Sequence, residues 1–107
     1  MRKWMMLLLL TVAAWAQVMT VPDVFAQRAA LDGKPVTVRG TVKGYYEKAD
    51  HCGFLLFDSG KAVSVIAEGK PGLANDSQAT VSGTFWVSKQ LYFKNCSNVV
   101  EATSINP

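Results

Sequence analysis

The sequence predicts an all-β domain of five strands that close into a small barrel, with one short helix before the first of them. Two segments, VTVRGTV and ATVSGTF, alternate apolar and polar residues, and each carries a glycine on its apolar face. Alternation with a period of two indicates a half-buried strand. An inward glycine lets such a strand coil tightly or bulge at the corner of a closed barrel. We therefore expect both strands to bend, the first because it belongs to two sheets at once.

Residues 1–16 have the organisation of a cleaved export signal. Arg2 and Lys3 precede an apolar run, and Ala14-x-Ala16 supplies the small residues of a cleavage site. The run is shorter than the roughly 20 apolar residues that span a bilayer, although a membrane anchor is the alternative. We expect a mature chain of residues 17–107, a single domain that is periplasmic or secreted, with no membrane span after cleavage.

The charge of this mature domain argues against strong electrostatic capture of nucleic acid. The full chain has 11 basic and 8 acidic residues, a formal charge of +3. Arg2 and Lys3 belong to the signal, which leaves nine basic and eight acidic residues and a formal charge of +1. A nearly neutral surface concentrates a polyanion only weakly.

Cys52 and Cys96 are the two cysteines of the chain. In an exported protein an even number of cysteines first suggests a disulfide, which in the chain-entropy account would stabilise this small domain by about 4 kcal/mol. Two buried free thiols, or a reactive thiol beside His51, remain as alternatives. Asp50-His51-Cys52 also invites a metal site, but such a site needs three or four ligands. We expect no metal, no cofactor and no catalytic residue.

A short helix is predicted over Pro22–Ala30. Thr20 and Asp23 have the spacing of a capping box, and Pro22 suits a first helical turn. Asp32-Gly33 ends the helix, and the residues that can face the body of the domain are Val24, Phe25, Ala29 and Leu31.

Five strands and their turns follow this helix. The first strand places Val36, Val38, Gly40, Val42 and Gly44 inward, and the next two form a hairpin around the turn residues Asp58-Ser59-Gly60. The two hairpin strands are residues 54–57 and 62–67, and the fourth and fifth strands are residues 79–87 and 91–94. Residues 99–105 are either another short strand or the continuation of the fifth after a bulge at residues 95–98. The predicted loops are a polar loop over 47–51, a glycine-rich loop over 68–77 and a hairpin loop at Ser88-Lys89-Gln90.

The segments LDGKPVTVRGTVKG, FLLFDSGKAVSVIAEG and ATVSGTFWV together resemble an OB-fold domain over residues 31–105. The similarity is to small exported bacterial OB-fold proteins and to tRNA-anticodon-binding-like OB domains. The sequence departs from the usual pattern because the helix between strands three and four is reduced to a loop, and because the cysteines are not part of the general signature. The resemblance implies an OB-type barrel and, as the leading function, oligonucleotide or nucleic-acid binding.

Ligands of OB-folds lie across strands two and three, framed by the loops after strands one and four. Those loops are residues 45–52 and 86–91 here. Aromatic side chains there would stack on bases or sugars, and lysines would hold phosphates. Alternatively, Trp86 and Tyr92 pack on each other across the hairpin, and Tyr46, by strand parity, points inward. The candidate ligand-binding residues are Lys43, Tyr45, Lys48, Trp86, Lys89 and Tyr92.

We therefore expect a binding module and not an enzyme, with an oligonucleotide or a glycan as the ligand at the barrel rim. The second hypothesis is a stress-related module of the cell envelope that contacts a protein or a glycan and binds no nucleic acid. Salt separates the two, because phosphate contacts weaken steeply as salt rises.

Overall fold

The computed structural model describes residues 17–107, in which five strands, β2 to β6, close into a barrel. The neighbours around the barrel are β2-β3-β4-β6-β5, and β5 returns to β2. The β4–β6 pairing is parallel and the other four are antiparallel. The predicted all-β, five-stranded OB-type barrel with a short N-terminal helical segment is confirmed. Its elements are β1 (Met19–Thr20), α1 (Val21–Ala26), α2 (Arg28–Leu31), β2 (Lys34–Glu47), β3 (His51–Asp58), β4 (Lys61–Glu68), β5 (Gln78–Leu91) and β6 (Lys94–Asn106).

Strand β2 bends as predicted and pairs with two other strands of the barrel, in addition to the short β1. Residues 34–41 pair with β5, and residues from Thr41 onward pair with β3. Gly40 sits at this corner, where a Cβ would lie 3.0 Å from both the Leu56 side chain and the Phe57 carbonyl oxygen. At the equivalent corner of β5, a Cβ on Gly83 would overlap the Glu101 carbonyl. Both inward glycines thus permit close backbone approach.

The barrel interior is aliphatic, and α1 closes one of its ends. Val38, Val42 and Leu56 are fully buried in the interior. Val21 and Val24 of α1 are equally buried and belong to the same cluster. Each apolar side chain removed from water in this way contributes about 1.5–3 kcal/mol. The N-terminal helix therefore plugs the barrel, while the segment between β4 and β5 is a loop, as predicted.

The predicted capping box is present at the start of α1. Thr20 Oγ1 accepts from the Asp23 amide at 3.2 Å, and Asp23 accepts from the Thr20 amide at 3.4 Å. The single helix expected over Pro22–Ala30 is wrong in one respect. Gln27 leaves helical geometry (φ −115°, ψ 17°) and divides the segment into α1 and α2.

A bulge at Gly44 reverses the predicted orientation of the two tyrosines that follow it. The β2–β3 register shifts between Lys43 and Tyr46, and Gly44 has φ +62°. The extra residue turns Tyr45 toward the interior, where its ring centroid lies 6.1 Å from that of Phe54. Tyr46 instead lies on the outer face. The expectation of an inward Tyr46 is wrong because a bulge shifts strand parity by one.

The hairpin between β5 and β6 is longer than predicted. Ser88-Lys89-Gln90 is strand, not loop, and the turn is the dipeptide Tyr92-Phe93 with φ +50° and +64°. Leu91 pairs with Lys94 across it. The extended hairpin folds onto the outer face of β4, where burial of apolar side chains stabilises it. This outer cluster consists of Ile66, Leu91, Cys96 and Val99, with Trp86 packed against them.

The predicted Cys52–Cys96 disulfide is not formed, and both thiols are free and buried. Cys52 lies beside the Tyr45 side chain at the barrel interior, and burial raises the pKa of its thiol. Cys96 belongs to the outer cluster, and its thiol donates to the Lys94 carbonyl at 3.6 Å. The longer hairpin places Cys96 in a different packing environment from Cys52, so the alternative of two buried free thiols holds.

The predicted signal, residues 1–16, lies outside the described residues. Within residues 17–107, none of the helices has the length and apolar character required to cross a bilayer.

Candidate ligand-binding cleft

An open cleft of about 660 Å³ lies on the outer face of the barrel rim. The loop between β2 and β3 forms one side, and the Tyr92-Phe93 turn of the β5–β6 hairpin forms the other. These are the two loops that frame the ligand in OB-folds. The lining residues come from five strands and the two loops: Tyr46, Glu47, Lys48, His51, Ile66, Leu91, Tyr92 and Lys94.

A stacked pair of rings joins the two sides of the cleft. The Tyr92 ring lies on the His51 imidazole with the centroids 3.9 Å apart and the planes 13° apart. His51 Nδ1 is 2.7 Å from Asp50 Oδ1, and this hydrogen bond lowers the pKa of the Asp50 carboxyl. The imidazole is therefore held by a stack on its face and by a carboxylate at its edge, which orients both rings at the rim.

Tyr46 forms the floor of the cleft because the bulge turns it outward. Its ring lies over Gly53, where any Cβ would overlap the phenol. The Tyr46 ring also meets His51 edge-on, with 6.4 Å between centroids. Lys48 Nζ stands 6.0 Å from the centre of the Tyr46 ring. Three aromatic or imidazole rings and a lysine thus lie at one site.

Two of the six predicted ligand-binding residues, Lys48 and Tyr92, line this cleft. Tyr45 does not, because its hydroxyl donates to Glu47 at 2.9 Å and accepts from the Gly72 amide at 3.0 Å. Burial is the main reason that the pKa of Tyr45 is raised to about 12, and the Glu47 contact adds to it. Tyr45 therefore ties the β4–β5 loop to the barrel.

Lys43 also contacts the β4–β5 loop, where it forms an ion pair with Asp76. The two side chains are about half and three-quarters exposed, so the pair contributes little to stability. Their arrangement nevertheless places the Lys43 ammonium beside a carboxylate of the loop and outside the set of cleft-lining residues.

Trp86 and Lys89 form a separate group on the outer face. Trp86 Nε1 donates to Glu101 Oε1 at 3.1 Å, and Lys89 Nζ contacts the same oxygen at 3.2 Å. The ammonium stands 4.1 Å from the centre of the indole ring. Trp86 is partly buried against the outer cluster, and Tyr92 packs on His51 and not on Trp86.

Tyr46, His51 and Lys94 also line the cleft. They lie in or directly after the two predicted framing loops, but none of them is among the six residues predicted to bind a ligand, and Tyr46 was expected to point inward. The signal that could have found Tyr46 is the Gly44-Tyr45-Tyr46 tripeptide, since glycine within a strand indicates a bulge. Among residues 17–107, no three or more side chains of the His, Cys, Asp or Glu type come together as a metal site.

The charges at the cleft are mixed. Lys48 and Lys94 line it together with Glu47. Asp50 is bonded to His51, and Glu68 lies opposite His51 in the β3–β4 ladder. Burial, followed by the charges of Glu68 and Asp50, raises the pKa of Tyr92. The cleft therefore presents rings and both signs of charge, not a uniformly basic surface.

A smaller depression of about 360 Å³ adjoins this cleft along the outer face. The two share Tyr46, Ile66 and Lys94, and the second adds Leu55 of β3. Leu55 is 44% exposed. The outer face therefore carries one continuous groove with an apolar floor.

No described protein family and no curated protein matches this chain. Among solved structures, it is similar to a chain assigned as an aspartyl-tRNA synthetase from Leishmania major Friedlin, with a TM-score of 0.68 and 17% sequence identity. The similarity covers 84% of this chain and 20% of that one, so this chain spans about one fifth of the length of that structure. At this identity the likeness concerns the fold alone, and it agrees with the strand order of the barrel: this chain has the OB-type fold.

Proposed function

We propose that residues 17–107 form an exported OB-fold binding module, without catalytic activity, that takes a short single-stranded oligonucleotide in the rim cleft. The observation that carries the proposal is the convergence of Tyr46, His51 and Tyr92 with Lys48 and Lys94 in one open cleft. Base–aromatic stacking contributes about 1–3 kcal/mol for each base. The lysines supply two positions for phosphate contacts.

Labelled oligonucleotides of about four to sixteen nucleotides, the range of site sizes in OB-folds, test this proposal by fluorescence anisotropy. Lys48→Ala/Lys94→Ala should weaken binding and flatten the dependence of log K on log salt by about 1.4, because each single-strand phosphate contact contributes about 0.7. Lys34→Ala/Lys61→Ala removes the same charge away from the cleft and should leave the slope unchanged. Equal effects of the two double variants, or no binding at low salt, would refute oligonucleotide binding here.

The second candidate is a glycan ligand, with the protein acting at the cell envelope. The mixed charge of the cleft favours a glycan, because Glu47, Asp50 and Glu68 offset the charge of the lysines. The rings of the cleft suit such a ligand as well, since aromatic rings also stack on sugar faces. Neutral envelope oligosaccharides titrated into the protein by calorimetry should then bind with little dependence on salt. Tyr46→Ala should abolish that binding, and Phe57→Ala, on the same sheet face near the opposite end of β3, should not.

Export is a separate part of the proposal, supported by the signal pattern of residues 1–16. Expression of the full chain in a bacterial host, followed by fractionation and N-terminal sequencing, tests it. A mature protein that begins at or near Gln17 in the periplasm or medium supports export, whereas an intact Met1 terminus in the cytoplasm refutes it.

A further inference from the structure

The tip of the β5–β6 hairpin presents an unusual turn. Two-residue hairpin loops with both φ angles positive normally carry Asn-Gly or similar pairs, but here Tyr92 and Phe93 adopt φ +50° and +64°. Bulky side chains in this region are outliers, and such strain concentrates at functional positions. Phe93 is 99% exposed, so its contacts within residues 17–107 do not explain why phenylalanine stands there.

The tip is held firmly on both sides of Phe93. Leu91 and Cys96 are buried in the outer cluster, and Tyr92 is stacked on His51. Phe93 is therefore a large apolar side chain that projects from a supported position. An aromatic side chain whose backbone is fixed before binding suits the role of an anchor at a protein interface, because little backbone freedom is lost on association.

The same chain carries a receptor for such an anchor immediately beside it. Tyr92 and Lys94, the two neighbours of Phe93, line the rim cleft, whose apolar floor includes Ile66. A two-fold axis between two hairpin tips would bring each Phe93 over the cleft of the other copy. Isologous contacts of this kind require that the projecting residue and its pocket lie close together on one surface, as they do here.

The charges around the tip complement themselves under the same symmetry. Lys94 is adjacent to Phe93, whereas Glu68 lies across the ladder from His51 on the far side of the Tyr92 stack. A two-fold pair would set Lys94 of one copy against the Glu68 region of the other, twice by symmetry. A formal charge of only +1 for residues 17–107 adds little general repulsion between copies.

From these relationships we propose that the protein forms a reciprocal homodimer in which Phe93 of each copy occupies the rim cleft of the other. The tip is small, so the buried area falls in the class of weak interfaces below about 1,200 Å², and half of the chains should be dimeric at about 0.1 mM. The dimer covers the cleft, so it competes with any ligand there.

Sedimentation velocity of residues 17–107 from about 10 µM to 1 mM, the range around that midpoint, tests the proposal. The sedimentation coefficient should rise with concentration. Phe93→Ala should weaken association by at least about tenfold, as expected for an anchor residue. Phe93→Asn should weaken association to a similar extent, and the hairpin should keep its fold because asparagine accepts this turn geometry. Phe57→Ala, which removes another exposed ring, 39% exposed, away from the tip, should leave association unchanged.

Charge-reversal variants test whether Lys94 of one copy contacts Glu68 of the other. Lys94→Glu and Glu68→Lys should each dimerise less than the natural chain, and an equimolar mixture of the two variants should recover dimer, because both reciprocal contacts are then between opposite charges. A chain that stays monomeric to about 1 mM, well above the expected midpoint, or a Phe93→Asn variant that associates normally, would overturn the proposal. Dimerisation needs no oligonucleotide or glycan, so the outcome of this experiment is independent of whether the protein binds the proposed ligand.

Discussion

Tyr92 stacks face to face on His51, with 3.9 Å between ring centroids and 13° between planes. This contact joins the two rim loops of the barrel, and it places the strained turn of the hairpin beside β3. The geometry of the cleft depends on it, since Tyr92 forms one wall and His51 another.

Loss of the stack should loosen the hairpin without unfolding the barrel. Tyr92→Ala should lower the free energy of unfolding by about 1 kcal/mol, the size of an aromatic pair, and should speed hydrogen exchange at residues 88–97. Tyr92→Phe keeps the ring and serves as the control, with little change expected. Urea unfolding and amide exchange measure the two effects, and equal exchange in both variants would contradict this role of Tyr92.

Tyr45 should make the stability of the protein sensitive to alkaline pH. Its folded-state pKa of about 12 is above the ordinary value of 10.0, so the folded state favours the protonated phenol. That contribution is complete below about pH 10 and is lost as the pH rises toward 12. Tyr45→Phe should show a smaller fall in the free energy of unfolding between these values. Absorbance at alkaline pH should also show one fewer late-ionising tyrosine in the variant than in the natural protein, because Tyr92, whose pKa is also raised, is present in both.

Position 44 should require glycine because of its backbone conformation, and not because a side chain would lack room there. It has φ +62°, and nothing lies within 4 Å of the position that a Cβ would take. Gly44→Ala should therefore cost about 1 kcal/mol of stability through backbone strain. Gly44→Asn should cost less, because asparagine tolerates this region. Thermal unfolding distinguishes them, and an alanine variant as stable as the natural protein would show that the bulge tolerates a side chain.

Gly83 should be required for the opposite reason. Its φ does not lie in the left-handed region, but a Cβ there would overlap backbone atoms of Glu101 and Ala102. Because a neighbouring strand cannot move aside locally, Gly83→Ala should destabilise by about 3 kcal/mol or more. Gly53→Ala is the comparison, since the atoms in its way belong to the Tyr46 side chain, which can swing into the open cleft. Comparable losses in the two variants would contradict this distinction.

Protein purified without reductant should contain two free thiols. Both are buried, and burial raises the pKa of Cys52, so they should react slowly with Ellman's reagent until the protein is denatured. Cys96→Ser should then leave one reactive thiol. A count of zero after denaturation of the natural protein would show that a disulfide forms and that the hairpin packs differently.

Local pattern in the sequence was sufficient for the barrel and for much of its interior. The period of two placed Val38, Val42, Val81 and Phe85 inward, and all four are buried. The capping box of Thr20 and Asp23 was readable because both of its hydrogen bonds form between near neighbours in the chain. The glycines of VTVRGTV and ATVSGTF indicated bending because each removes a side chain at a corner where two strands approach closely.

The candidate site depended on contacts between distant segments, which only the tertiary structure decided. Whether Gly44 forms a bulge depends on β3 and on the β4–β5 loop. That bulge turns Tyr45 toward the interior and Tyr46 to the outer face, which is the reverse of the predicted orientations. The length of the hairpin depended on burial of Leu91 against Ile66, because that burial favours a turn at Tyr92-Phe93 over the more ordinary turn residues before it. Away from the bulge, the sequence by itself determined which strand residues lie inside the barrel, since strand alternation is a local property. The structure decided which side chains meet at the rim, since a single extra residue in a strand reverses every orientation that follows it.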